Sequence, residues 1–320
     1  MPPPRSPPEH RPRWLRRHFR RPLCLLTAVG VGAGDCVPWG RGVGGAERWM
    51  FALRPSGAEP GRRRPAPDGD DGAAARGRVS CFGDSHTEGI FGAPWVPDLQ
   101  RRLARECRNH GRNAWTAESV ARCAEAAEPS QDATVLVGTN NVMMELAWRA
   151  DNQAMISLYK AINGLPSDYR PSAATFSGAL RRLLAALPVD RLRGRVAVAS
   201  LPPLGEAERG PAAEVVAEYN AAIRAVVAED PRAVYVPFGE SLLGTKGEAF
   251  DASYGGFSGS IAEMYWHTGR RWLLPGGPSF GTQAAECGRT VVHDKIHLTE
   301  VSASKLSDLF VDALESSGVE

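Results

Sequence analysis

Residues 78–90 read Arg78-Val79-Ser80-Cys81-Phe82-Gly83-Asp84-Ser85-His86-Thr87-Glu88-Gly89-Ile90. Val79 to Phe82 is a short, mostly apolar run of the kind a buried strand carries, and Gly83 closes it. Gly83 permits a sharp turn, and Asp84 and Ser85 open a polar turn before the next apolar stretch. A serine just past a strand's C-terminal end stands where open α/β sheets place their chemistry. The stretch is not a Gly-x-Ser-x-Gly elbow, because Thr87 fills the second glycine position. A serine in a polar turn is by itself more often a cap or turn residue. Its meaning therefore depends on partners elsewhere in the chain.

Working outward, the periodicity predicts a helix from about Val96 to Glu106, then a turn over residues 109–118 feeding another helix, with Thr116 as its candidate N-cap. Ala133 to Val137 is a β-branched apolar run and predicts a strand, closed by Gly138-Thr139-Asn140-Asn141. Residues 142–161 read as helical, and a further helix runs from about Ser172 to Leu187. Arg195 to Ala199 predicts a strand stopped by Pro202-Pro203-Leu204-Gly205, Ala212 to Glu229 a helix, and Ala233 to Val236 a strand. Strand–helix alternation of this kind implies a parallel sheet with right-handed crossovers. Residues 238–290 are the least patterned. The glycine-rich run Tyr254 to Gly259 is not a phosphate loop, since no Gly-Lys-Ser/Thr ends it. Ile261, Met264, Tyr265 and Trp272 share a helical face that is expected to point at the core. Val291-Val292-His293-Asp294-Lys295-Ile296-His297-Leu298 follows, then a helix to about Leu314.

Four of these junctions together resemble the sequence blocks of the SGNH (GDSL-type) hydrolases. Gly83-Asp84-Ser85-His86 with Gly89 resembles the first block, whose serine is the nucleophile. Asn109, Gly111 and Ala114 fall on Asn-x-Gly-x-x-Gly, with alanine at the last glycine. Gly138 and Asn140 fall on Gly-x-Asn-Asp, with Asn141 replacing the aspartate. Asp294 and His297 fall on Asp-x-x-His-Leu. The resemblance covers residues 76–320 in order, with 238–290 matched by position only. It implies a three-layer α/β/α, flavodoxin-like SGNH hydrolase fold with a short parallel sheet. It also implies a Ser85–Asp294–His297 triad, with the oxyanion met by the N–H groups of Ser85 and Ala114 and by the Asn140 amide. Gly83, Asp84, Asn109, Gly111 and Gly138 support these positions.

The chemistry fits the residue types. A serine hydroxyl is a poor nucleophile until a base takes its proton, and an imidazole with a reference pKa near 6.5 can take it and give it back. Asp294, three residues before His297, can hold one tautomer if the connecting loop folds back. The expected reaction is cleavage of a carboxylic ester through an acyl-enzyme on Ser85, with no cofactor and no metal. The substrate is a small-molecule, lipid or sugar ester. Three other readings stay open on the sequence: an acyltransferase on the same fold, a non-catalytic carbohydrate- or ligand-binding module, and a metallohydrolase using Asp84, His86, His293, Asp294 and His297.

The chain of 320 residues carries a net charge of +2, and 43% of its residues are hydrophobic, enough for a sizeable core and no sign of a polyanion partner. Nucleic-acid binding is therefore not expected, and no membrane span is predicted. Residues 1–75 are rich in proline, arginine and glycine and read as a disordered leader and linker. Within them a run of arginines precedes the apolar stretch 22–34, as in an export signal or an organellar transit segment; initiation at Met50 is a third option. The catalytic domain is expected to span 76–320. The six cysteines contain no Cys-x-x-Cys pair, and a Cys107–Cys123 disulfide is one option for an exported chain.

Overall fold

The computed structural model describes residues 77–189, 194–206, 208–243 and 256–316. The expected leader and the glycine-rich run at 254–255 lie outside the described residues.

Strand β1 (Val79–Gly83) runs straight into a one-turn helix α1 (Ser85–Glu88). Then follow α2 (Val96–Leu103), β2 (Cys107–Asn109), α3 (Ala117–Glu125), β3 (Asp132–Leu136), α4 (Thr139–Arg149), α5 (Gln153–Asn163), α6 (Ala173–Ala186) and β4 (Val196–Ala199). A 3₁₀ turn at Leu204–Glu206 leads to α7 (Pro211–Val227), β5 (Ala233–Val236), α8 (Phe238–Leu242), α9 (Gly256–Leu273), α10 (Phe280–Glu286) and α11 (Glu300–Glu315). The five strands form one parallel sheet in the order β2-β1-β3-β4-β5. This is the flavodoxin-like order expected from the alternation.

Helices α2 and α11 pack together with Trp95 against Phe310, ring centroids 5.0 Å apart. Helices α3, α6 and α7 form a second layer, joined by Phe176 and Tyr219 at 4.9 Å. The central strands β1, β3 and β4 are buried throughout, as parallel strands covered on both sides must be. The chain leaves β1 towards β2 on one side and pairs with β3 on the other. The C-terminal ends of β1 and β3 therefore flank the crevice where strand order reverses.

Two expectations are corrected. The first concerns residues 107–109, where the sequence shows only a turn starting at Asn109 and the structure has a three-residue edge strand, β2, with half-buried to exposed side chains. An edge strand pairs on one side only and carries no apolar signature. The second concerns the inward face of α9. That face runs through Met264, His267 and Thr268, while Tyr265 and Trp272 are exposed. Cys107 is not bonded to Cys123.

Candidate active site

Gly83 ends β1 in space that admits no side chain: a Cβ there would stand 2.1 Å from Thr87 Oγ1 and 2.3 Å from the Leu136 carbonyl. Asp84 then caps α1, its carboxylate accepting the N–H of His86 at 3.0 Å. The cap puts Ser85 at the first helical position, over the end of the sheet. Burial pushes the Asp84 carboxyl up to about 7, with the N–H of His86 acting against it. His86 is buried with no partner on either ring nitrogen among the described residues, and burial drives its pKa down to about 3, so it stays neutral.

The second block packs onto this turn. Asn109 donates to the Thr87 carbonyl at 2.7 Å and accepts the N–H of Gly111 at 2.8 Å. Gly111 touches the backbone of Thr87 and Glu88 so closely that a Cβ would fall 2.2 Å from the Glu88 nitrogen. The N–H groups of Arg112 and Asn113 donate to the Gly83 carbonyl and the Glu88 carboxylate. Ala114 follows at φ +61°, the left-handed conformation that a glycine adopts without strain. Its N–H, like that of Ser85, donates to no group among the described residues.

Asn140 lies in the first turn of α4, just beyond β3. One Nδ2 hydrogen goes to the Trp115 carbonyl at 2.9 Å, while Oδ1 accepts the Tyr159 hydroxyl at 3.2 Å. These two bonds fix the amide and leave its second hydrogen uncommitted. Gly138, at φ +132°, makes the turn before it. Asn141 accepts the N–H of Ala117 and donates to Glu118 at 3.1 Å. An aspartate there would set a second buried carboxylate against Glu118, whereas the Asn141 amide donates to it. Glu118, invisible as a partner in the sequence, is identified by this contact and by the Tyr169 hydroxyl, which donates to its other oxygen.

The last block does fold back. Asp294 Oδ1 accepts the backbone N–H groups of Ile296 and His297 at 3.0 and 2.7 Å, and Oδ2 accepts His297 Nδ1–H at 2.7 Å. With Nδ1 protonated, His297 Nε2 carries the lone pair and lies 2.9 Å from Ser85 Oγ. Burial raises the Asp294 carboxyl, but the neighbouring His293 and His297 and the hydrogen bonds from His297 outweigh it, holding it below the usual carboxylate range. Glu206 steadies the loop from across the molecule, one carboxylate oxygen accepting the N–H groups of Thr290, Val291 and Val292. Arg289 donates to the His293 carbonyl. Neither residue carried a sequence signal, because their bonds to the loop go to backbone groups and Arg289's carboxylate partner, Glu263, lies 26 residues away on α9.

The GDSL-like Lipase/Acylhydrolase family model matches residues 81–271. The chain belongs to this family. As a GDSL-like acylhydrolase the chain is a hydrolase, and its α/β fold is that of the family. No curated protein matches it. Among solved structures it is similar to a lipolytic G-D-S-L family protein from Veillonella parvula at 13% identity and TM-score 0.45, covering 75% of this chain and 99% of that one. It is also similar to the acetyl xylan esterase AlAXEase at 14% and 0.46, covering 74% and 99%. The acetylxylan esterase Axe2 from Geobacillus stearothermophilus follows at 14% and 0.44, covering 75% and 94%.

In this GDSL-like chain His293, Asp294 and His297 of the metallohydrolase set are spoken for, while Asp84 Oδ2 and both His86 ring nitrogens have no partner among the described residues. Asp294 receives three hydrogen bonds, and His297 spans Asp294 and Ser85. His293 uses Nδ1 with His267 at 3.0 Å and Nε2 with the Phe91 carbonyl at 2.6 Å. A cation shared by these groups would have to break those bonds. Among the described residues no helix is long and apolar enough to cross a membrane.

Proposed function

We propose that this chain cleaves carboxylic esters through a covalent acyl-enzyme on Ser85. The observation that carries the reading is the unbroken relay Asp294 Oδ2···Nδ1 His297 Nε2···Oγ Ser85, at 2.7 and 2.9 Å. His297 takes the Oγ proton as Oγ bonds to the ester carbonyl carbon, and the carbonyl π electrons pass to oxygen. The N–H groups of Ser85 and Ala114 and the uncommitted Nδ2 hydrogen of Asn140 receive that oxyanion. Preorganised donors of this kind contribute about 3–4 kcal/mol each to the transition state. The C–O bond to the alcohol then breaks, His297 returns the proton to the leaving oxygen, and water repeats the sequence on the acyl-enzyme.

Asp294, kept ionised, holds the imidazole in the tautomer that presents Nε2 to Ser85. Ser85 is only 4% exposed, and low exposure strengthens each of these electrostatic contacts. The test is labelling with a fluorophosphonate probe, read by peptide mass, alongside hydrolysis of aryl esters of graded acyl length. Labelling at Ser85 and turnover of at least one ester are expected. Turnover without labelling, or loss of activity on chelation, would overturn the mechanism.

A further inference from the structure

Three donors of three chemistries meet where α9 passes α10. The Glu263 carboxylate, the His267 imidazole and the Cys287 thiol offer ligand atoms that all lie within 4.8 Å of one another. Glu263 and His267 are four residues apart on α9 and so share a face, while Cys287 caps the C-terminus of α10. None of the three takes part in the Ser85 relay.

Hydrogen bonding fixes which atoms are free. The Phe91 carbonyl can only accept, so His293 donates its Nε2–H to it at 2.6 Å. His293 is fully buried and stacked on Phe280 at 4.3 Å, where a charge would be costly, so it stays neutral and its Nδ1 is bare. His267 then donates Nδ1–H across its 3.0 Å contact with His293, which leaves the lone pair on His267 Nε2. His267 is only 3% exposed, and Nε2 has no hydrogen-bond partner among the described residues. A ring so enclosed that leaves an acceptor unused is uncommon.

Glu263 is half committed. Arg289 Nη2 meets Oε1 alone, and Oε2 has no partner among the described residues. The donors are thus supported as metal ligands are, the imidazole through its other N–H and the carboxylate through its other oxygen. Both supporting residues, His293 and Arg289, belong to the loop that carries Asp294 and His297, and Arg289 also donates to the His293 carbonyl at 2.7 Å. Cys287 is exposed, which gives a cation a way in.

The donor set selects the cation. Thiolate, imidazole and carboxylate together suit zinc and disfavour calcium and magnesium, which take oxygen ligands. Donors around a tetrahedral zinc at roughly 2.0–2.3 Å stand about 3.3–3.8 Å apart, so the set closes with shifts of about 1 Å, within the reach of side-chain rotation.

We propose that Glu263, His267 and Cys287 bind one zinc ion, with water in the fourth position, as a clamp that joins α9 and α10 to the catalytic loop. Cys287 Sγ bonds to zinc as the thiol proton passes to solvent, and no electron is transferred. The clamp stands apart from the acyl-enzyme reading: labelling at Ser85 tests the one and zinc titration the other.

The test titrates zinc into the full chain, first freed of metal by chelation, in competition with a chromophoric chelator. One zinc per chain should bind with a Kd below about 1 μM. Cys287→Ala, at an exposed helix end, and Glu263→Gln, which keeps an oxygen for Arg289, should each weaken that site at least about ten-fold. Zinc at about a hundred-fold excess over Kd should raise the parent's thermal midpoint by about 5 °C and leave that of Cys287→Ala where it was. Cobalt in place of zinc should show a thiolate-to-metal charge-transfer band that Cys287→Ala removes. Absence of stoichiometric sub-micromolar binding overturns the proposal. So does binding that both variants retain, since the zinc would then sit on other residues.

Discussion

The turn that presents Ser85 and the loop that presents Asp294 and His297 meet at one hydrogen bond, yet they are built differently. Ser85 follows a five-residue strand paired on both sides and enters a helical turn capped by its neighbour Asp84. Its place is set by regular backbone pairing, spread over many bonds. The 289–299 loop has no strand beneath it beyond one bridge between Val292 and Leu298. It makes a few backbone bonds, among them His293 N–H to the His297 carbonyl and Thr299 N–H to the Val291 carbonyl, and many of its other backbone groups go to side chains: Glu206, Arg289 and Asp294 meet N–H and carbonyl groups, and Thr299 and Ser302 meet the carbonyls of Thr290 and Val291. The two halves also hold buried carboxylates in opposite states. Asp84 is raised because burial dominates; Asp294 is lowered because two imidazoles and its hydrogen bonds outweigh burial. Regular structure tolerates a buried group that is only partly satisfied, whereas an irregular loop depends on every acceptor it has.

The largest effect expected is at the point where the halves join. Ser85→Ala should lower kcat at least about a thousand-fold while leaving circular dichroism unchanged. Retention of more than about a thousandth of the activity would mean that the relay between the halves is not the route of the chemistry.

Next comes the dependence of the loop on single side chains. Glu206→Ala removes the acceptor of three N–H groups and should cost about 3–5 kcal/mol of stability, read by urea denaturation. Glu206→Gln keeps an oxygen acceptor and should cost less. Equal, small losses for both would show the loop to be as redundantly held as the strand-borne turn.

On the strand side, Asn140→Ala should reduce kcat by about a hundred-fold or more with little change in thermal midpoint, because the amide is oriented by Trp115 and Tyr159 rather than serving the core. An unchanged kcat would remove Asn140 from the oxyanion site.

The contrast between carboxylates can be read by pH. Asp84 is raised to about 7 in the fold, above its unfolded value near 4. Its contribution therefore becomes steadily more unfavourable as pH rises through that window and levels off above it. Asp84→Asn removes the titration, so its thermal midpoint relative to the parent should climb between pH 4 and 7. A flat difference would show that Asp84 ionises normally.

The smallest effect is expected at Ala114. Its positive φ strains an alanine by about 1 kcal/mol, and Ala114→Gly relieves that while adding chain entropy to the unfolded state. Stability should change by less than about 1 kcal/mol, and kcat should stay level or rise. A large fall in kcat at unchanged stability would remove the Ala114 N–H from its assigned role.

Much of the strand side was legible in the sequence. Val79 to Phe82 and Ala133 to Val137 announce themselves by apolar runs ending in glycine turns, and the residues that follow them inherit their position from the sheet. Asp294 and His297 were legible as a spacing, since three residues are enough for a carboxylate to reach back to an imidazole. Edge strand β2 was not, because one-sided pairing leaves no apolar pattern.

What the sequence by itself determined is therefore the alternation, the sheet ends and the order in which Ser85, Asn140, Asp294 and His297 arrive. Only the tertiary structure decided that Glu206 would anchor the His297 loop, that Asn141 would answer Glu118, and that α9 would turn its aromatic residues outward. The physical reason is common to all three. Local periodicity records burial against neighbours in the chain, whereas a buried polar group chooses its side by partners more than twenty residues away, and His267 is held inward by His293, 26 residues on.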